Sequence, residues 1–395
     1  MKSYLMNKNQ KVALVEFNTT TIAIDKVYDV ISIQYAPLSL ENAYNDCSKN
    51  LVKELNNWFK GRGIPSWRKD VEKLLRNLEV KTTDELLNKA YALSLSDQYW
   101  IKEENSTIQW KDINFFENEF EYKAFLQASL NDSSSRHPDL KSPNNTTDGM
   151  LQKAWVIEDG KRVLVKGTYT PSRQEPINEW LASQICERLG FKYCSYEIDI
   201  MDDKIISKCD NFVSSNEEII SAYDVFCSEK KNNSINDFQH YLSILEKHNV
   251  PNAQEDLENM FIVDCLTMNT DRHMKNFGVI RNVETLSWER LTPIFDTGQS
   301  MNCHELAKNI NFNDGYGKYF SNTNKKFSTY LSNISNLERF DVSKLNGLDM
   351  QFNQILKKYQ DYTEMTDDRI KTLTEGLSSR IKFLQLHKEL DAINN

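Results

Sequence analysis

The sequence has no apolar run long enough to cross a bilayer. Its first thirty residues also lack an uninterrupted apolar core set between a basic start and a small-residue cleavage site, so no secretory signal is expected. The seven cysteines, Cys47, Cys186, Cys194, Cys209, Cys227, Cys265 and Cys303, are scattered, odd in number and contain no Cys-x-x-Cys pair. That argues against a disulfide framework and a structural zinc site, and fits a reducing cytoplasm. An excess of positive charge is missing too. The formal net charge is -9, and short basic pairs such as Lys230-Lys231 and Lys325-Lys326 are too small to reverse it, so neither direct nucleic-acid binding nor membrane adhesion is expected. No internal repeat is evident. What remains is an ordinary globular composition, 39% hydrophobic and 27% charged, in 395 residues, enough for two or three domains.

Residues 1–130 read as a mixed, helix-rich accessory region. Leu51, Leu55, Trp58 and Phe59 share a helical face, Gly61-Arg62-Gly63-Ile64-Pro65 breaks it, and Val71, Leu74, Leu75 and Leu78 repeat at helical spacing. The aromatic clusters at 94–101 and 112–116 read as core or as partner-docking surface. Residues 131–147 are rich in Ser, Asn, Asp and Pro, which predicts a linker. Beyond it, Ala154–Glu158 and Arg162–Lys166 form a predicted hairpin around Asp159-Gly160, and a second hairpin turns at Asp202-Asp203. Between them Ile177, Leu181, Ile185 and Leu189 predict a helix stopped near Gly190. From about residue 212 the pattern is mainly helical. Leu257, Phe261 and Cys265 mark a buried helix, then Phe277–Ile280 and Leu286–Phe295 suggest two strands leading to Asp296.

The chemistry gathers at Asn269-Thr270-Asp271-Arg272-His273-Met274-Lys275-Asn276, where a carboxylate is followed five positions later by an amide. Phosphoryl transfer needs such a pair: Asp271 to orient or deprotonate the attacking hydroxyl, and Asn276 to hold magnesium on nucleotide phosphates. Asp296, in Pro293-Ile294-Phe295-Asp296-Thr297-Gly298, is placed to be the second metal ligand. An Asp and an Asn at this spacing are common by chance, so the surroundings carry the argument. Thr147 to Lys153 form a polar turn before the first hairpin, with Asp148, Gly149, Met150, Leu151, Gln152 and Lys153 as a candidate phosphate cradle. That turn lacks the G-x-G-x-x-G of ordinary protein kinases. Lys166 closes the hairpin where its ammonium could reach phosphates, and Glu179 in the following helix could hold it. Ser207, Lys208 and Cys209 stand where a crossing between lobes would offer backbone to adenine, or in a plain loop. His273 finds no ligand spacing with the other histidines, which favours ordering the loop or facing phosphate. Arg272 and Lys275 add local positive charge.

Taken together, these residues resemble the HipA-like serine/threonine kinase family. Asn269-x-Asp271-Arg272-His273-x-Lys275-Asn276-Phe277, Pro293 to Gly298, and Gly149 to Lys153 followed by Lys166 and the Glu179 helix carry the resemblance, over roughly residues 145–390. It implies an α+β, two-lobed kinase-like fold. The lobe at 148–209 would hold a small antiparallel sheet and a helix, and the lobe at 210–395 would be mainly helical. It further implies ATP and Mg2+, and phosphorylation of protein Ser or Thr. Asp271 would be the catalytic Asp, Asn276 and Asp296 the metal ligands, Lys166 the ATP-phosphate lysine and Ser207 to Cys209 the adenine contact. Self-inactivation by phosphorylation in the phosphate loop would fall on Thr146 or Thr147. By family analogy, a toxin with a small DNA-binding antitoxin partner is a further expectation. Asp296 is followed by Thr-Gly rather than Phe-Gly, and no Ala-Pro-Glu follows, so the activation-loop logic of ordinary protein kinases does not carry over.

Two other readings stand beside this one. Asp271-Arg272-His273 with Asn276 also resembles the catalytic loop of phosphoinositide kinases, which would make the acceptor a lipid or small molecule. The lack of a basic membrane-facing run opposes it. A non-catalytic kinase-fold scaffold is the third, opposed by the presence together of Lys166, Asp271, Asn276 and Asp296.

Overall fold

The computed structural model describes residues 1–46, 48–68, 71–123, 125–126, 140–147, 151–319 and 324–394. The chain divides into two compact units: Met1–Lys166 with Asp210–Lys230 and Val279–Glu289, and Gly167–Cys209 with Lys231–Gly278 and Arg290–Asn395. Antiparallel strands and helices occur in both.

The first unit begins with β1 (Lys2–Asn7), β2 (Gln10–Asn18) and β3 (Ala23–Val30), joined by β4 (Tyr99–Glu103) in an antiparallel sheet ordered β3-β2-β1-β4. The period of two along a strand decides which side each residue serves. Leu5, opposite Ile101, packs with Val15, Phe17, Leu40, Leu55 and Phe59, whereas the next pair, Met6 and Trp100, turns to Trp110, Phe115 and Phe120. Helices Leu38–Asn45 and Leu51–Gly61 supply the first cluster, and the Asn50 side chain caps the second of them by accepting the Lys53 N–H. The region expected to be helix-rich therefore opens on a sheet. Register shifts at Leu5/Met6, Leu14/Val15 and Glu16/Phe17 interrupt the alternation that would have announced it.

Next come β5 (Lys153–Glu158) and β6 (Lys161–Lys166), paired from Glu158 opposite Lys161 back to Lys153 opposite Lys166. Asp159 and Gly160 both take positive φ, 49° and 77°, as the tight turn requires. Arg162 ties this hairpin to the carbonyls of Phe115 and Asn118, each at 2.9 Å.

In the second unit, helix Glu175–Leu189 stops at Gly190, whose φ of 77° suits glycine. The hairpin β7 (Glu197–Met201) and β8 (Lys204–Asp210) turns at Asp202 and Asp203. β9 (Glu217–Ser221), in the first unit, pairs with β10 (Gly278–Asn282), and β11 (Trp288–Leu291) flanks β10 on the other side. Arg281 of β10 is buried there against Glu218 of β9 (2.6 Å), the Tyr99 hydroxyl (3.1 Å) and the Ala36 carbonyl (2.9 Å).

Helix Ala253–Thr267 is the centre of the second unit. Leu257, Phe261, Ile262, Val263, Cys265 and Leu266 are all buried, so the helix is covered all round, each full burial of a large apolar side chain contributing about 1.5–3 kcal/mol. Against it pack helices Glu175–Leu189, Asp237–Lys247, Asp367–Asn394 and Phe327–Leu331, the last entered from the antiparallel pair β12 (Tyr316–Lys318) and β13 (Asn324–Lys326). No helix among the described residues is long and apolar enough to cross a membrane.

Candidate functional site

The loop after helix Ala253–Thr267 is fixed by a charge inside that helix. Asp264 is 0% exposed and Arg272 2%. They form a two-pronged pair, Nε to Oδ2 at 2.9 Å and Nη2 to Oδ1 at 3.0 Å. The Asn269 amide donates to the same Oδ1 at 2.8 Å, and its own oxygen accepts the Asp271 N–H at 3.1 Å. A buried carboxylate must be paired, and pairing this one folds the loop back onto its helix. Burial pulls the Arg272 pKa down, but Asp264 beside it more than offsets this, and the guanidinium is held above its ordinary range. Its Nη1 reaches the carbonyls of Asn276 and Phe295, both at 2.7 Å. One side chain thereby clips the end of the 269–276 loop to the residue before Asp296.

Asn276 donates its amide Nδ2 to the Asp271 carbonyl at 2.9 Å, which leaves Oδ1 as its acceptor end. Asp296 sits in the left-handed region, φ 55°, and its N–H donates to the Tyr196 hydroxyl at 3.1 Å. Burial raises the Tyr196 pKa well above normal, with Glu179 and Asp296 among the carboxylates adding to it. Among the described residues no group of three or more His, Cys, Asp or Glu is arranged to hold a metal. An amide oxygen and a carboxylate are two hard oxygen donors, the set that suits magnesium carried mainly by substrate phosphates and water. The residues present therefore fit that ion.

Asp271 is about one-third exposed, and its Oδ1 accepts the Lys318 ammonium at 2.5 Å. His273 Nε2 lies 3.8 Å from Oδ2, and the Lys275 N–H donates to His273 Nδ1 at 3.2 Å, so the ring orders the loop. Burial lowers the His273 pKa below its usual value; Asp271 opposes this, while Lys318 and Arg272 add to it. Lys275 is exposed.

Behind this loop, Glu175 and Glu179 lie buried on helix Glu175–Leu189. Glu175 accepts the N–H groups of Tyr169 and Thr170 at 3.0 and 2.7 Å, and Glu179 Oε2 accepts the Ser207 hydroxyl at 2.5 Å. Gly298 rests against this helix. A Cβ added there would lie 3.3 Å from the Glu175 Cβ and 3.6 Å from Glu179 Oε1. Ser207, Lys208 and Cys209 belong to β8 itself, which continues to Asp210. Ser207 and Cys209 are buried, and Lys208 pairs with Asp199 across the hairpin at 2.8 Å.

Lys166 ends β6 in the first unit with its side chain buried, opposite Lys153. Leu151 is buried and Gln152 half-buried, while Asp148, Gly149 and Met150 lie outside the described residues. The Thr146 hydroxyl donates to the Leu93 and Pro143 carbonyls at 3.0 Å each. Thr147 is buried, donating to the Asn144 carbonyl at 3.2 Å and accepting from Arg68. Phosphate could reach Thr147 only after this packing opened.

Sequence reasoning passed over Asp264, Tyr196 and Lys318. A lone Asp between Val263 and Cys265 in an apolar helix was a usable signal, since a buried charge needs a partner. Lys318 offered none: it lies 47 positions from Asp271, in a polar stretch without periodicity.

The HipA-like C-terminal domain family matches residues 146–363. A comparison with curated protein sequences gave no match. Among solved structures the chain is similar to HipA of the Shewanella oneidensis MR-1 toxin–antitoxin system, determined with HipB and operator DNA. The identity is 12%, the TM-score 0.50, and the match covers 98% of this chain and 99% of that one. It is also similar to the Helicobacter pylori proinflammatory kinase CtkA, at 18% identity and a TM-score of 0.44, over 60% of this chain and 95% of that one.

Proposed function

Because the chain belongs to the HipA-like C-terminal domain family, we propose that it is an ATP-dependent protein serine/threonine kinase of HipA type. The observation that carries this reading is the Arg272 clip, which draws the loop bearing Asp271 and Asn276 to the segment bearing Asp296. In the reaction, the acceptor hydroxyl oxygen bonds to the γ-phosphorus while the bond to the β–γ bridging oxygen breaks. The electron pair leaves with ADP, and the hydroxyl proton passes to the Asp271 carboxylate. Asn276 and Asp296 would hold magnesium, which neutralises phosphate charge. In this reading Lys166 serves the nucleotide phosphates. With the Ser207 hydroxyl engaged by Glu179, any adenine contact at 207–209 falls to backbone groups.

The HipB and operator DNA in the Shewanella complex support a small DNA-binding antitoxin as this chain's partner. The acidic balance of -9 suits a chain that reaches DNA through such a partner rather than directly. A cytoplasmic setting follows from the same reading.

The test is incubation of the full chain with γ-labelled ATP and magnesium, followed by mass spectrometry of the products. Asp271→Ala and Asp296→Ala should each cut transfer by about a thousandfold or more with the fold retained. Unchanged label incorporation in either variant would sink the mechanism. Absence of calorimetric binding at millimolar Mg-ATP would favour an idle scaffold instead.

A further inference from the structure

A phosphoryl group in transfer carries negative charge on its equatorial oxygens, and a cation fixed beside the point of attack lowers the barrier. The 269–276 loop carries three basic residues, and the structure occupies two of them. Arg272 is buried and bound to Asp264 and two carbonyls. His273 is engaged in holding the loop, with Nδ1 accepting a backbone N–H. Lys275 points from an exposed position. The ammonium that does reach the carboxylate comes from elsewhere: Lys318, at the end of β12, donates to Asp271 Oδ1 at 2.5 Å.

Its arrival is built in. The Lys318 N–H donates to the Thr270 carbonyl at 3.4 Å, and the Tyr330 hydroxyl donates to the Lys318 carbonyl. Tyr330 is itself buried, with ring contacts to Phe327 at 5.3 Å and to Phe261 of helix Ala253–Thr267 at 5.7 Å. Gly317 lets the strand come this near, since a Cβ there would stand 2.7 Å from the Asn269 carbonyl oxygen and 2.8 Å from the Tyr330 hydroxyl. A partly exposed ion pair adds little stability, so stability alone does not account for so tight a seat. The side chains of Lys318 and Asp271 are 34% and 33% exposed, which leaves the pair partly open to solvent. Among the described residues one of the three ammonium donors is used, on Asp271.

We propose that Lys318 is the phosphoryl-facing cation of the transfer site, delivered to Asp271 by β12 and acting on the group in flight. The proposal rests on the kinase reading above. A cation serving the transition state alone should leave ground-state binding intact. Lys318→Met in the full chain should therefore lower kcat about 100-fold and weaken binding of ADP with magnesium and tetrafluoroaluminate about as much. KM for ATP and the calorimetric affinity for ADP should stay within about threefold, with an unchanged melting temperature. Lys318→Arg should recover part of the rate, because it keeps the charge while altering its shape.

If wild type transfers phosphate and Lys318→Met matches it, the kinase reading stands and this role is overturned. A faster variant overturns it too, and marks the ammonium as a cap on Asp271. A variant that loses ADP affinity and melting temperature along with kcat shows a structural part only, and also overturns the proposal. If wild type neither transfers phosphate nor binds Mg-ATP, the kinase reading falls and takes the proposal with it.

Discussion

In each compact unit an arginine is buried against a carboxylate, and what differs is the company the two pairs keep. Arg281 and Glu218, 3% and 2% exposed, join β10 to β9, to Tyr99 and to the Ala36 carbonyl. Burial lifts the Glu218 pKa even though Arg281 pulls it down. Arg272 and Asp264 are as deeply placed, yet the peptide they hold carries Asp271, whose carboxylate is one-third exposed. The same interaction is thus a fastening in one unit and, in the other, the support of the loop proposed to carry the chemistry. Burial of the charge is common to both pairs; a partly exposed carboxylate on the peptide it holds distinguishes the second.

This contrast can be broken in order of effect. Arg272→Met leaves Asp264 buried and unpaired, so it should cost about 3–5 kcal/mol in urea unfolding and abolish phosphotransfer by whatever folded protein remains. Arg281→Met should cost a similar 3–5 kcal/mol through Glu218 while the folded fraction keeps its kcat within about twofold. Equal loss of rate in both variants would erase the difference between the two pairs. Gly317→Ala pushes β12 off the Asn269 carbonyl, and kcat should fall about tenfold with a stability loss near 1–3 kcal/mol. A wild-type rate in that variant would show that the seat of β12 does not matter.

The smallest effect concerns pH. His273 has a folded pKa below its ordinary 6.5, chiefly through burial. Its stabilising contribution is therefore present above about pH 6.5 and is lost as pH falls through the folded value. Wild type should lose a few tenths of a kcal/mol more than His273→Gln between pH 7 and pH 5, measured by urea unfolding, the ring being partly exposed. Parallel curves for the two proteins would contradict the lowered pKa.

The parts most legible in the sequence were those whose residues are close together. Asp271 and Asn276 lie on one loop, and the turns at Asp159-Gly160 and Asp202-Asp203 declared their hairpins because positive φ restricts composition there. The family was legible for the same reason, being carried by short ordered motifs. The sheet of residues 2–30 was not, since its bulges shift the alternation. β9 also escaped, because its partner β10 lies some sixty residues further on, the separation seen between Glu218 and Arg281. Lys318 escaped too: its meaning depends on Gly317, Tyr330 and Phe261 packing it into place, and none of them carries a local signal.

Gly298 makes the loop of Asp296 and helix Glu175–Leu189 near neighbours without a cushion between them. A Cβ added at 298 would lie 3.3 Å from the Glu175 Cβ, so this approach leaves little room for a side chain. The absence of a side chain at 298 lets the helix that carries Glu175 and Glu179 approach the segment of Asp296, the proposed metal ligand, with backbone alone between them.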